Sequence, residues 1–346
     1  MNGKPYVTLD DIAKKLNVSK VTVSKALRGH PDISKETAAL VKKVAAELGY
    51  TPNYMARNLS SQNTHTIGVV VPKIAHFFFS SLIEAIYDTA FHSDYEIIMT
   101  VSQENELREQ KHIESLLAMK VDGIIVSVSE NTRDKTIFEK IRRMQVPLVF
   151  VDRVMQIPGA STIIVDDFGG SFKATEMAIK NGYTKIGHVG GYREINIGDS
   201  RYRGFEKAMN EHGLQIYPKW VVYGGFGEDD GYQGFMKIYE SGEVPEFILA
   251  VTYPVALGIY AAVNKVGLRI PDDIDIICFG NSGINKFIKP SMSYVDQDTN
   301  VLGKTAVELI LDHIKSGSPY EAKHIQIPTQ IILRETCIVK KKANSA

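Results

Sequence analysis

The chain of 346 residues has only two cysteines, no net formal charge, and no apolar run near the ~20 residues needed to cross a bilayer. Cys278 and Cys337 sit in apolar, strand-like contexts (DIICFG and ETCIV), which read as buried thiols in a reducing cytoplasm. Neither a disulfide nor a metal site is expected from them. The N-terminus has no apolar export-signal core, so a cytoplasmic protein without membrane partners is expected. Catalytic signatures are also missing. There is no P-loop, and HVGGYREIN lacks G-x-G-x-x-G spacing, which argues against a sugar kinase or a nucleotide-dependent oxidoreductase. The nine histidines are scattered with no H-E-x-x-H or H-x-x-E-H pattern, and no Ser–His–Asp order stands out. Catalysis and a cofactor are not expected, and the chain reads as a binding protein.

Zero net charge hides an asymmetry. Residues 1–61 carry ten lysines and arginines against five acids, which leaves thirty against thirty-five for the rest. A basic head on an acidic body directs the head toward phosphates. In the head, Thr8 and Asp11 form a capping box before a first helix whose Ile12, Ala13 and Leu16 share a face. Ser19 caps a second helix after a tight turn at Asn17, Val18 and Ser19. Its Val23, Ala26 and Leu27 point inward, while Lys20, Val21, Ser24 and Lys25 point outward. Ser34 caps a third helix, with Val41, Val44, Ala45 and Leu48 buried and Gly49 ending it. Ile12, Leu16, Val23, Leu27, Val41 and Leu48 form one small core. This is a helix-turn-helix, which presents its second helix to the DNA major groove. The headpiece is therefore placed at residues 1–51.

Residues 52–66 read as a short helix and linker: Pro52 can begin a helix, and NYMARNLS gives about two turns, too few to be stable alone. From Ile67 onward, apolar strand runs alternate with helical stretches. The strands are read at 67–72, 95–101, 122–128, 147–152, 161–166, 185–190, 220–225, 246–251 and 274–280. Such alternation marks doubly wound, parallel α/β layers. Nine or more strands over about 270 residues imply two lobes, and clefts between lobes bind small molecules.

The ordered set VTLDDIAKKLNVSKVTVSKAL, LGYTPNYMARNLSS, TIGVVVP, KVDGIIV, PLVFVDR, GYTKIGHVGG, SRYRGF, VALGIYAAV and SYVDQDTNVLGKTAVELI resembles the lactose-repressor family of bacterial transcription regulators over nearly the whole length. The resemblance implies a headpiece, a hinge helix, and a core like the periplasmic sugar-binding proteins, crossed three times by the chain. The core spans 67–346, its lobes placed at 67–164 plus 293–325 and at 165–292 plus 326–340. It implies a homodimer on a near-palindromic operator, with operator affinity controlled by a small effector, a sugar or sugar derivative, and repression of carbohydrate-utilisation genes. No C-terminal leucine heptad is visible, so a dimer is expected over a tetramer.

By position in the motif, Lys20, Val21 and Lys25 face base edges, with Lys25 where the family usually has arginine. Thr8, Thr22 and Ser24 have hydroxyls suited to phosphates. Leu59 is implied to be the wedge entering the minor groove at the operator centre, with Asn53 and Arg57 nearby. For the effector, the resemblance points to Phe78, Phe79, Asp152, Arg153, Arg201, Tyr253, Asn281 and Gln297, although Asp152 and Arg153 also suit a mutual ion pair. The pattern departs from the family where Thr252 and Tyr253 replace an Asn-Asp or Asp pair, and where Asn281 replaces a sugar-binding Asp. These changes point away from a free neutral monosaccharide and toward a phosphorylated, acidic or larger ligand. The competing reading is a solute-binding protein of a transport system, which the missing signal and the basic head oppose.

Overall fold

In the computed structural model, which describes residues 7–51 and 63–337, Thr8 sits in extended backbone and starts helix α1 (Leu9–Leu16). Its N–H donates to Asp11 Oδ2 at 2.8 Å. Asn17 closes that helix in the left-handed region (φ +54°), which short polar side chains tolerate better than most. Ser19 Oγ then accepts the Thr22 N–H at 3.0 Å and opens α2 (Lys20–Leu27). Ser34 does the same for α3 (Lys35–Glu47) through the Thr37 N–H at 3.2 Å. Gly49 ends α3 at φ +68°, and the Tyr50 N–H returns to the Ala45 carbonyl. The core has Ile12, Ala13, Val23, Ala26, Val41, Val44 and Ala45 fully enclosed, with Leu16, Leu27 and Leu48 at its margin. The hinge segment NYMARNLS, with Asn53, Arg57 and Leu59, lies outside the described residues.

A second compact unit begins at His65. Strands β1 (Thr66–Val71), β2 (Glu96–Val101), β3 (Gly123–Val126), β4 (Leu148–Val151) and β5 (Ser161–Val165) share one sheet. Strands β6 (Ile186–Gly190), β7 (Val221–Tyr223), β8 (Phe247–Ala250), β9 (Asp275–Phe279) and β10 (Ser293–Asp296) share another. The last two strands divide: β11 (His324–Ile327) returns to the first sheet and β12 (Gln330–Ile332) to the second. The orders are β11-β5-β4-β3-β1-β2 and β12-β10-β9-β8-β6-β7. Central strands such as β3, β4, β8 and β9 are buried along their whole length, as parallel strands covered on both faces must be. Helices α4 (Phe77–Phe91), α5 (Glu106–Ala118) and α6 (Thr136–Arg143) follow strands of the first lobe. Helices α7 (Asp167–Lys180), α8 (Asn196–Glu211), α9 (Glu228–Glu240) and α10 (Tyr253–Lys265) belong to the second. The last helix, α11 (Thr299–Ser316), returns to the first lobe and packs on α4. Gly303 permits this approach: a Cβ there would lie 2.9 Å from the Leu82 carbonyl oxygen.

Three details correct the sequence reading. The segment from 293 was placed in the first lobe, but β10 pairs with β9 in the second, its Tyr294 and Val295 filling that lobe's cores. The chain therefore crosses at Gln297–Asp298. Residues 326 and 327 were placed in the second lobe, but β11 runs in register with β5 as far as Ile327 opposite Val165. Ile325 and Ile327 alternate onto the first lobe's core, which holds the strand there. The sheets are also not wholly parallel, because β12 runs antiparallel to β10. Among the described residues, no helix is long and apolar enough to cross a membrane.

Candidate functional site

Two regions carry the chemistry, one in each unit. In the headpiece, the cap at Ser19 and the burial of Val23 and Ala26 fix which face of α2 looks outward. Val21, in the first turn, is 63% exposed. Lys20 Nζ rests 3.1 Å from Asp10 Oδ2, and Lys25 Nζ 2.9 Å from Asp32 Oδ2. The bond from Lys25 holds the Asp32 carboxyl below its ordinary range. These pairs are exposed, where an ion pair contributes roughly 0–1 kcal/mol, so the lysines can exchange a carboxylate for a phosphate or a base edge at little cost. The hydroxyls of Thr8 and Thr22 are engaged locally, with Asp11 (2.6 Å) and Ser19 (2.8 Å). Ser24 lends its backbone carbonyl to Arg28 Nε at 3.2 Å.

In the core, a cavity of about 260 Å³ lies between the two sheets. Its walls come from segments that leave the carboxyl ends of strands: His76–Phe79 after β1, Asp152–Arg153 after β4, Ile197 and Arg201 after β6, Thr252–Pro254 after β8, and Gly280–Gly283 after β9. The crossover Asp296–Thr299 adds the remaining wall. Carboxyl ends of strands are where open α/β sheets hold ligands. All eight cleft residues singled out from the sequence, Phe78, Phe79, Asp152, Arg153, Arg201, Tyr253, Asn281 and Gln297, line this one cavity. The sequence reading passed over His76, Phe77, Phe279, Asp296 and Asp298, although Phe279 and Asp296 end strands and the others lie in segments that follow one.

The arginines are not free. Arg201 is fully buried, and its Nε donates to Asp167 Oδ1 at 2.8 Å with Nη2 2.7 Å from the same oxygen. Its Nη1 donates to the Val251 carbonyl, and the guanidinium carbon lies 4.0 Å above the Phe279 ring. Arg153 Nη1 is 3.0 Å from both carboxylate oxygens of Glu104 and stacks 4.6 Å above Phe226, a residue of the other lobe. The ion pair envisaged between Asp152 and Arg153 is thus replaced by Arg153–Glu104. Asp152 itself holds a left-handed backbone (φ +64°), uncommon outside glycine, and its carboxylate accepts no hydrogen bond from the described residues. Burial pushes its pKa up to about 7, against the lowering effect of Arg153 and Arg201. Burial, with Arg153 next in weight, pushes His76 down to about 4, so its ring is neutral and its Nδ1 has no partner. The Tyr253 hydroxyl also lacks a partner, and Phe77 sets its ring edge against the Tyr253 ring at 6.4 Å.

A further contact ties the lobes beside the cavity. Asn196, at the start of α8, accepts the Val154 N–H at 3.0 Å and donates to the Asp152 carbonyl at 2.9 Å. Cys278 and Cys337 are buried, free thiols. Among the described residues, no group of three or more His, Cys, Asp or Glu is placed to hold a metal ion.

With this geometry in hand, known proteins offer a comparison. A family model described as bacterial regulatory proteins of the lacI family matches residues 8–53, and one for a periplasmic binding protein-like domain matches residues 175–337. The HTH-type transcriptional repressor PurR of Pasteurella multocida (strain Pm70) is 32% identical over 95% of this chain and 98% of its own. The catabolite control protein A of Priestia megaterium is 29% identical over 95% of this chain and 99% of its own. Among solved structures, the lac repressor dimer bound to operator and the anti-inducer ONPF superposes with a TM-score of 0.84. It covers 96% of this chain and 99% of that one at 24% identity, a likeness of fold.

Proposed function

The chain belongs to the lacI family of bacterial regulatory proteins and is a DNA-binding transcriptional regulator; from that premise we propose a homodimeric cytoplasmic repressor of carbohydrate-utilisation genes. In this reading it has no enzymatic activity. Each headpiece reads half of a near-palindromic operator, with Lys20, Val21 and Lys25 at base edges and Thr8, Thr22 and Ser24 toward phosphates. Leu59 wedges the minor groove at the operator centre, with Asn53 and Arg57 beside it. A small hydroxylated effector occupies the core cavity, against Phe78, Phe79, Asp152, Arg153, Arg201, Tyr253, Asn281 and Gln297.

The observation that carries this reading is where the cavity lies. Asp296, Gln297 and Asp298 are at once its wall and one of the three crossovers joining the lobes. A ligand touching them contacts the hinge, so its differential affinity for two lobe arrangements becomes a change in DNA affinity. The cavity volume suits a monosaccharide-sized molecule, since sites for larger ligands run to roughly 300–1,000 Å³. The pairing of Arg153 with Glu104 and Arg201 with Asp167 weighs against a phosphorylated or acidic effector.

The test is selection of random duplexes by the intact chain, followed by titration of the selected duplex. A two-fold symmetric consensus is expected. Leu59→Ser should weaken binding to it by on the order of 100-fold, the equivalent of a few kcal/mol, while keeping weak binding to unrelated DNA. The absence of a consensus would sink the regulator mechanism, and unchanged affinity would sink the wedge.

A further inference from the structure

Both arginines at the cavity wall are paired with acids, Arg201 with Asp167 and Arg153 with Glu104, which Lys73 shares, and His76 carries no charge. Three carboxyls remain on the lining: Asp152, Asp296 and Asp298. Asp298 is partly committed, its Oδ1 capping α11 by accepting the Val301 N–H at 3.0 Å. Asp296 takes backbone N–H groups of Gln297 and Asp298. Asp152 takes none, although only 5% of its surface is exposed. Arg153 and Arg201 lie near it and favour its charged form, an effect that Asp167 and Glu104 offset in part.

We propose that the effector is a monosaccharide-sized polyol carrying a primary amine, whose ammonium lies against the Asp152 carboxylate while its hydroxyls meet Tyr253 Oη and His76 Nδ1. This deepens the effector reading of the cavity and rests on it. A neutral ligand without a donor there leaves the Asp152 carboxylate buried with no hydrogen-bonding partner of its own, which is costly. An anionic ligand adds negative charge to a wall where Asp152, Asp296 and Asp298 already stand beyond the two arginine–acid pairs. An ammonium cancels the charge and offers three donors to a wall rich in acceptors. The hydroxylated frame answers His76 Nδ1 and Tyr253 Oη, because a hydroxyl can donate to neutral Nδ1 and accept from the phenol; Arg153 Nε and Arg201 Nη2, the other unpartnered atoms of the lining, can each donate to a further hydroxyl. Burial also leaves Asp152 close to half-protonated near neutrality, a state that an ammonium shifts to the charged form.

Calorimetry on the full chain tests this with glucosamine, galactosamine and mannosamine, each beside its neutral parent hexose, its N-acetyl derivative and its parent's 6-phosphate. At least one amino sugar is expected to bind ~10-fold or more tightly than its parent and its N-acetyl form, the effect of about one pKa unit of interaction. Asp152→Asn should erase that preference. The N-acetyl arm reads the same charge without touching the protein, so it stands even where the variant folds poorly. A neutral hexose, N-acetyl sugar or phosphate binding as tightly as its amine overturns the proposal, as does silence from the whole panel. The effector reading fails differently, by a panel member that binds the cavity and leaves affinity for the selected duplex unchanged.

Discussion

Four ion pairs, two in each unit, look alike as distances and behave oppositely. Lys20–Asp10 and Lys25–Asp32 span 3.1 and 2.9 Å, and Arg153–Glu104 and Arg201–Asp167 span 3.0 and 2.7 Å. The side chains of Lys20 and Asp10 are 58% and 54% exposed, whereas those of Arg201 and Asp167 are 1% and 3% exposed. Water screens the first kind, so the lysines are on loan and a phosphate can claim them. It is largely excluded from the second kind, so a ligand anion could claim those arginines only by leaving Glu104 or Asp167 buried and unpaired. A cation's availability depends on its burial rather than on its presence in the sequence. The basic residues of the headpiece are therefore ligand-facing in a way that those of the cleft are not.

The largest effect should follow from breaking a buried pair. Arg201→Met leaves the Asp167 carboxylate buried and alone, and should cost the core about 3–5 kcal/mol in urea unfolding. The double variant with Asp167→Leu should recover most of that, since matched apolar replacement of a buried pair is often neutral. A single variant that loses less than about 1 kcal/mol would mean that the pair is not what holds this wall.

A smaller effect, with a testable sign, comes from pH. His188 is fully buried and burial pushes its pKa down to about 4, so the unfolded chain binds more protons than the folded one between there and its ordinary value of 6.5. Its contribution to stability is present above pH 6.5 and is lost as the pH falls toward 4. Asp152 is raised to about 7, so the folded state binds more protons between its ordinary value of 3.8 and 7. That contribution runs the other way and is lost as the pH rises through the window. Unfolding free energies between pH 4.5 and 6.5 should thus show a wild-type curve steeper than that of His188→Asn and shallower than that of Asp152→Asn. Matching slopes for the two variants would contradict these assignments.

The smallest effect is expected on the exposed side of the comparison. Asp32→Ala releases Lys25 and should leave the thermal unfolding of the headpiece nearly unchanged, as surface substitutions do. Affinity for unrelated DNA should rise by no more than ~5-fold, the reach of an exposed pair. A loss of several kcal/mol in thermal unfolding would show that the loan is structural after all.

Much of this was legible in the chain itself. The three headpiece helices follow from Ser19, Ser34 and the spacing of Ile12, Val23 and Val41, because caps and period are local properties. The nine strands from β1 to β9 follow from long apolar runs. What escaped depends on partners far away in sequence. SYVD at 293 is too short to declare its sheet, and only pairing with β9 settles it. The cleft residues could be picked out from their places at strand ends and from the family pattern. The partners of Arg153 and Arg201, Glu104 and Asp167, lie 49 and 34 residues away, and no local signal couples them. The sequence therefore leaves a phosphorylated, acidic or larger ligand open, and the arginine pairs weigh against an acidic one.

The most direct test of the headpiece half of the comparison is a selection of random duplexes carried out in parallel with the intact chain and with Lys25→Ala. If Lys25 is a loaned cation that reads bases, the variant should relax one symmetric pair of positions in the consensus and leave the others in place, at a cost of about 1–3 kcal/mol per contact. An unchanged consensus, or a uniform loss at every position, would contradict base reading by this residue.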